Sequence, residues 1–374
     1  MGEGAGDVVA VLGGGQLGRM LALAGIPLDV RFRFLDPVSG ASASAVGDLV
    51  VGALGDEAAL TEVARGATVV TYEWEGVPAD AARFVAREVP VRPGPRSLEV
   101  AQDRLTEKET FRRLGIGTPA FSAVASRADL DTAVDAVGGL PAVLKTRTGG
   151  YDGKGQAVLR ELDDLDAAWR ELGGREIGLI LESLVPFDRE LSVLAVRGLD
   201  GTVACWPLVE NHHEGGILRV SRAPAARVDD GLQAHGEELA TRLLDDLDHV
   251  GVLAVELFDV GGELLANEIA PRVHNSCHWT IEGAVTSQFE NHLRAVLGWP
   301  LGSTAARGCT AMVNCIGAMP ARAAVLAIPG AHLHDYGKSP RRGRKLGHVT
   351  VVAGDERELA TRLAALRDVI IADG

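Results

Sequence analysis

What the sequence lacks excludes several classes of function at once. None of the four cysteines, Cys205, Cys277, Cys309 and Cys315, forms a C-x-x-C pair. That spacing speaks against a structural zinc site and for free thiols in a reducing cytosol. No stretch reaches the roughly 18 uninterrupted apolar residues that a membrane span needs. No basic segment followed by a long apolar core opens the chain. We therefore expect a cytoplasmic protein with no membrane partner. Positive charge is also in deficit: 37 Lys and Arg against 51 Asp and Glu leave a net charge of −14. A general nucleic-acid binder would carry the opposite balance. An anionic substrate must then be met by local clusters of Arg, Lys or backbone N–H. There is no internal repeat and no low-complexity tract.

What is present is the composition of an ordinary globular protein: 47% hydrophobic and 24% charged over 374 residues, enough for two or three domains. VVAVL (8–12) reads as a strand, glycine breaks it, and QLGRMLALAG (16–25) continues as a helix. RFRFLD, DLVVGAL, ATVVTYE and EVPVRPG repeat the strand signal with helical patterns between them. Strands alternating with helices predict a parallel α/β sheet to about residue 100. VRPGPRS reads as a linker or turn. The helix DRLTEKETFRRLG follows, with capping-box spacing from Thr106 to Glu109 and Asp103 as the competing cap. PAVLKT and GLILES are short strands, and LSVLAVRG, TVACWPLVE and GILRVSRAP a meander. DDGLQAHGEELATRLLDDLD is an amphipathic helix, and GVLAVELFDVGGELLANEIAP a hairpin about Gly261-Gly262. After Trp299 the composition changes. Three further strands, in TAMVNCIG, HLHDYGK and HVTVVAG, and a closing helix are expected there.

Five places carry candidate chemistry. Gly13, Gly15 and Gly18 have the G-x-G-x-x-G spacing, which suits an anion at a helix N-terminus or, with Asp36 ending the next strand, a dinucleotide. KTRTGGYDGKGQ (145–156) packs four glycines around Tyr151, Asp152 and Lys154 after the strand that delivers Lys145. Such a loop can close over a polyphosphate, with both lysines neutralising charge. Glu256 and Glu268 sit in apolar strands of the hairpin, where a charge needs a partner. Joined by a cation they favour magnesium, and an ion pair with Arg272 is the alternative. APRVHNSCHWT (270–280) crowds Arg272, His274, Asn275, Ser276 and His278 into one turn. KSPRRGRK (338–345) has no aromatic interleaving, so Lys338, Arg344 and Lys345 suit a small phosphate. Weaker signals are Glu190 after LESLVPF, which would frame a purine and its ribose, and Glu73 and Glu75 at a strand end.

On the motifs GGGQLGRM, DRLTEKE, KTRTGGYDGKGQ, NEIAPRVHNSCHWT and GRKLGH, the sequence resembles the ATP-grasp superfamily. Within it, the chain resembles the 5-(carboxyamino)imidazole ribonucleotide synthetases of purine synthesis. The resemblance spans nearly the whole chain in the family's order. It implies an α/β and α+β architecture: a Rossmann-like N-terminal domain (1–103), ATP-grasp domains (104–298, with a lid subdomain of about 118–185) and a small β-rich C-terminal domain (299–374). It implies ATP at Arg104, Lys145 and Gly150, Tyr151, Asp152, Gly153, Lys154, Gly155 and Gln156. Glu182, Ser183, Leu184 and Val185 would border the adenine and Glu190 would bind ribose. His213 and Asn267 would complete the site, and Glu256 and Glu268 would hold Mg2+. Gln16, Leu17 and Glu73 would face aminoimidazole ribonucleotide, and Lys338, Arg344 and Lys345 its phosphate. Tyr151, Arg272 and His274 join the substrate side. The reaction implied is ATP-dependent carboxylation with bicarbonate in a homodimer. Asp152 is the expected base, assisted by Lys145 and Lys154. Lys154 stands where the family often has arginine, keeping the charge but losing a two-pronged grip. Cys277 stands where glycine is common. A formate-dependent glycinamide ribonucleotide transformylase would share this ATP site. A nicotinamide oxidoreductase built on the first loop, or an inactive binding subunit, are readings from other classes.

Overall fold

The structure is a computed structural model that describes residues 6–150, 153–173 and 178–372. It has three sheets. The first holds β1 (Val8–Leu12), β2 (Arg31–Asp36), β3 (Asp48–Val51) and β4 (Val69–Tyr72), all parallel, in the order β3-β2-β1-β4. Val9 and Val11 join one core with Phe32 and Phe34, and Ala10 and Leu12 join another with Leu35 and Tyr72. Burial on both faces explains why VVAVL is apolar throughout rather than alternating.

The second sheet is antiparallel: β5 (Phe121–Val124), β6 (Ala142–Thr146), β7 (Gln156–Leu159) and β8 (Leu179–Ser183), in the order β5-β8-β6-β7. Here the period of two is plain. Ala142, Leu144, Leu179 and Leu181 pack in a core with residues of the helices Arg127–Ala136 and Asp164–Leu172. Lys145 and Glu182 alternate with them and so point away from the helices.

The third sheet has nine strands: β9 (Arg189–Arg197), β10 (Val203–Cys205), β11 (Val209–Glu214), β12 (Ile217–Ala223), β13 (Gly251–Val260), β14 (Glu263–Ala270), β15 (Cys309–Ile316), β16 (Ala331–Asp335) and β17 (Lys345–Ala353). Their order is β14-β13-β9-β11-β12-β15-β17-β16, with β10 on β9. Helix Asp230–Asp246 buries Leu239, Leu243 and Leu244 in the core on one side of this sheet. On the other side, Phe289 and Leu293 of helix Gln288–Leu297 share a core with Leu17 and Leu21 of helix Gln16–Gly25. The first domain is thereby packed against the central sheet.

Four local expectations change. EVPVRPG forms only a one-residue bridge, Val70 to Val91. VRPGPRS is not wholly linker, because Pro95 opens the helix Pro95–Gln102 from its first turn, where proline's missing N–H costs nothing. Asp103, not Thr106, caps the next helix, accepting from Leu105 N at 3.0 Å. After residue 299 the strands do not form a sheet of their own: β15 pairs with β12, so the central sheet runs on into the C-terminal segment.

Candidate functional site

The hairpin of β13 and β14 turns on Gly261 and Gly262, both at positive φ, as a two-residue turn of this kind requires. Its register sets Glu256 directly opposite Glu268. Neither carboxylate meets Arg272, which instead pairs with Glu75. Arg104 NH1 lies 2.8 Å from Glu268 Oε2, and His274 Nε2 lies 3.5 Å from Glu256 Oε1. Burial, and next the charge of Glu268, push Glu256 up to about 7. Burial works on Glu268 in the same direction, but Arg104, Lys145 and Lys108 together outweigh it and hold that carboxyl below its ordinary value.

The donor set fits a hard divalent cation. Two half-buried carboxylates are opposed, and the neighbouring Asn267 Oδ1 is buried with no hydrogen-bond partner. All three donors are oxygens, the type magnesium takes. No group of three or more His, Cys, Asp or Glu side chains able to hold a metal by themselves occurs among the described residues. The hairpin thus offers part of a coordination shell, leaving room for phosphate oxygens.

Beside it, Lys145 Nζ meets Glu182 Oε2 at 2.9 Å, and the fully buried Lys108 meets the same oxygen at 3.4 Å. Arg104 NH2 reaches Gly150 O at 3.5 Å, tying the glycine-rich loop to the hairpin. Gly153 and Gly155 have φ of +74° and +72°, so the loop needs glycine there. Tyr151 and Asp152 lie outside the described residues. Lys154 and Gln156 follow in the loop and at the start of β7. Ser183 ends β8, and Leu184 and Val185 follow it, Leu184 exposed at 38%. Glu190 Oε2 lies 2.5 Å from His213 Nδ1. Burial favours the neutral imidazole of His213, yet Glu190 and Glu256 together raise its pKa.

The turn after β14 divides. His274 bonds Ser276 Oγ through Nδ1 at 2.8 Å, and Gln288 holds its backbone at both ends, accepting from His274 N and donating to His274 O at 2.8 Å each. Asn275 exchanges amide bonds with Asn314 at 3.0 and 2.8 Å. His278 leaves the site: it is buried, bonded to Gln288 at 3.1 Å, and set against the His348 ring.

The first glycine loop is filled from within. Glu73, just past β4, accepts from Gly15 N and, at 2.6 Å, from Gly18 N. These are the amides a phosphate would have used. A Cβ on Gly13 would lie 2.6 Å from Glu73 Cγ, and one on Gly15 2.5 Å from Glu73 Oε1. The glycines make room for a carboxylate rather than a pyrophosphate. Asp36 is likewise occupied, accepting from Gly14 N at 2.9 Å and Val38 N at 2.8 Å. Leu17 is buried in the helix that follows, and Gln16 beside it bonds Lys338. The basic run keeps its charges within range of one another, Arg344 and Lys345 both acting on Lys338. Lys338 faces the first loop, Arg344 donates to Ser339 O at 3.3 Å, and the charge of Lys345 acts on Glu256 and His213.

Sequence reasoning passed over Glu107 and Lys108, both buried, with Glu107 Oε1 accepting from Ile269 N at 2.7 Å. The signal was present: Glu107, Lys108 and Phe111 lie at i, i+1 and i+4, so the inward face of that helix carries two charges. Gln288 was also missed, and nothing in its neighbourhood of sequence marks it.

Three family models match the chain. One is a ribonucleotide synthetase preATP-grasp domain over residues 7–102, one an ATP-grasp domain over 109–289, and one a phosphoribosylaminoimidazole carboxylase C-terminal domain over 310–362. The N5-carboxyaminoimidazole ribonucleotide synthase of Pseudomonas aeruginosa is 53% identical over 97% of this chain and 99% of its own. The crystal structure of the Thermus thermophilus synthetase superposes with a TM-score of 0.93 at 57% identity, covering 96% of this chain and 98% of that one. An Aspergillus clavatus synthase in complex with ADP and 5-aminoimidazole ribonucleotide gives 0.91 at 33% identity, over 98% and 99%.

Proposed function

The chain belongs to the N5-carboxyaminoimidazole ribonucleotide synthase family, and from that premise we propose how its residues divide the work. Membership makes it an ATP-grasp ligase of purine biosynthesis acting on 5-aminoimidazole ribonucleotide with ATP. The finer reading is that bicarbonate supplies the carboxyl group. A bicarbonate oxygen attacks the γ-phosphorus of ATP, ADP leaves, and carboxyphosphate forms. The amine of the ribonucleotide then takes the carboxyl carbon, phosphate departs, and the nitrogen loses a proton to a base. The products are the carbamate, ADP and phosphate.

The observation that carries this division is the meeting of Glu256, Glu268, Arg104, Lys145 and Glu182 between two sheets, under the loop that begins at Gly150. Arg104, Lys145, Lys154 and the loop amides would hold the triphosphate. Glu182 to Val185, with Glu190 and His213, would hold the nucleoside. Glu256 and Glu268, with Asn267, would hold Mg2+, which when bound offsets the charge that develops as phosphoryl is transferred. Gln16, Leu17 and Glu73 would line the ribonucleotide site, Arg272 and His274 would orient the carboxyl donor, and Lys338, Arg344 and Lys345 would meet the 5′-phosphate. Closure of the glycine loop would keep water from carboxyphosphate. Asp152 is the proposed base and Tyr151 its neighbour on the substrate.

We extend the reading to a cytoplasmic homodimer working in units 1–103, 104–298 and 299–374; no helix among the described residues is long and apolar enough to cross a membrane. The test is ATP hydrolysis stimulated by the amine, with bicarbonate or formate, in the wild type and in Asp152→Asn. Bicarbonate-specific carbamate formation that collapses in the variant is expected. Formate use would favour the transformylase chemistry, and an unimpaired variant would remove Asp152 from proton transfer.

A further inference from the structure

The register of the β13–β14 hairpin slips by one residue at the candidate metal site. Glu256 pairs with Glu268 and Leu257 with Ala266, so Asn267 has no partner residue on β13. Such a bulge turns two successive side chains toward one side of the strand. Burial follows that pattern: Ala266 and Ile269 pack in the core, while Asn267 and Glu268 between them are both only half-buried. A bulge also leaves backbone groups without ladder partners, and these need partners elsewhere when buried.

Gly117 O accepts from Ala266 N and Thr118 Oγ1 donates to Ala266 O, and one helix supplies the partners on either side of Glu268. Lys108 Nζ donates to Asn267 O at 2.7 Å and to Ala266 O at 3.3 Å, and is steadied by Thr118 Oγ1 at 3.1 Å. Glu107 Oε1 accepts from Ile269 N at 2.7 Å. Arg104, one turn earlier, binds the Glu268 carboxylate itself. Positions 104, 107 and 108 share a helix face. The peptide before Glu268, the peptide after it and its carboxylate are thus held from a single helix, which Asp103 fixes by its cap and by its ion pair with Arg147. Two buried ionisable side chains, whose charged forms burial disfavours, are a costly way to fill a core that leucine or methionine would fill well. Their geometry serves the bulge.

We propose that Lys108 and Glu107 are positioning residues that hold the Asn267–Glu268 bulge in the conformation that presents both oxygen donors to the divalent cation. Neither residue is among those assigned above to ATP or the ribonucleotide. Lys108 also lies 3.4 Å from Glu182 of the nucleotide site, where Lys145 remains as the nearer partner at 2.9 Å, so ADP binding is measured beside metal binding. The inference rests on the assignment of the metal to Glu256 and Glu268.

The test is equilibrium Mn2+ binding to the ADP-saturated protein, read by the paramagnetic resonance of free Mn2+, beside ADP binding in EDTA and thermal melting. Lys108→Met is expected to weaken Mn2+ binding about 10–100-fold, the range for losing a partner that orients a ligand. ADP affinity in EDTA should change by less than about threefold. Leu363→Ala, in the remote core under the C-terminal helix, should lower the melting temperature but leave Mn2+ binding within about threefold. Glu107→Leu should weaken Mn2+ binding more than Glu107→Gln, whose amide oxygen still accepts from Ile269. Wild-type Mn2+ affinity in folded Lys108→Met overturns the proposal. If that variant does not fold, equal Mn2+ affinity in the two Glu107 variants overturns it. Failure of Glu268→Gln to weaken Mn2+ binding would instead remove the metal assignment.

Discussion

Replacing Glu73 by alanine should loosen the first glycine loop rather than the whole protein. The carboxylate is buried and accepts two backbone N–H groups at the start of helix Gln16–Gly25. Hydrogen bonds to a charged group contribute about 1.5–3 kcal/mol each. Against this stands the burial of the carboxylate, which raises its pKa despite both bonds. Water can also reach Gly15 once the side chain is gone. Two bonds at about 1.5 kcal/mol less about 1 kcal/mol of relief leave about 2 kcal/mol, the upper range for losing a helix cap. That corresponds to about a 30-fold loss of amide protection. Hydrogen exchange with mass spectrometry, on peptides covering residues 13–20, is the assay. Gly15→Ala should produce a similar loss with Glu73 still in the sequence, because its Cβ would lie 2.5 Å from Glu73 Oε1 and displace the carboxylate. Unchanged exchange in Glu73→Ala, or loss spread evenly over all three sheets, would refute the reasoning.

Two further outcomes are expected. Lys338→Ala removes a half-buried ammonium set between Gln16 and the Tyr336 ring. KM for aminoimidazole ribonucleotide should rise about 10–100-fold with KM for ATP little changed, and equal rises in both would place Lys338 elsewhere. His249 is buried, bonded to Ser97 Oγ at 2.9 Å and to Val252 O at 3.0 Å, and burial lowers its pKa to about 4. Below the unfolded value near 6.5 the unfolded chain binds the extra proton, so stability falls as pH drops from about 6.5 toward 4, by on the order of 2 kcal/mol at pH 5. Melting curves of His249→Gln should show a shallower acid limb than wild type; parallel limbs would contradict this.

Much of this molecule can be read in its sequence because periodicity and motif order report it directly. VVAVL, the Gly261-Gly262 hairpin and the closing helix follow from burial patterns that are local. Hairpin symmetry about Gly261-Gly262 brings Glu256 beside Asn267, and it is the one-residue bulge, invisible to symmetry, that sets Glu268 opposite it. What local pattern does not carry is partnership across the chain. G-x-G-x-x-G spells a tight turn but not its occupant, and Glu73 arrives from 55 residues beyond Gly18. Arg272, the alternative partner of the hairpin carboxylates, pairs instead with Glu75, from another domain. The basic run 338–345 reads as one cluster, and the charges of Arg344 and Lys345 do act on Lys338, but its bond to Gln16 and its attraction to Glu73, both of the first domain, are invisible locally. His278 looked like its neighbour His274 because one turn of backbone decides which points inward.

The most direct test is a crystal grown with a non-hydrolysable ATP analogue and Mn2+, with data collected for the anomalous signal of manganese. The account predicts one strong peak between the carboxylates of Glu256 and Glu268, the triphosphate against Lys145 and Arg104, and the Gly150–Gln156 loop above it. A peak away from that pair, or the triphosphate on the amides of Gly13–Gly18 with Glu73 displaced, would contradict it.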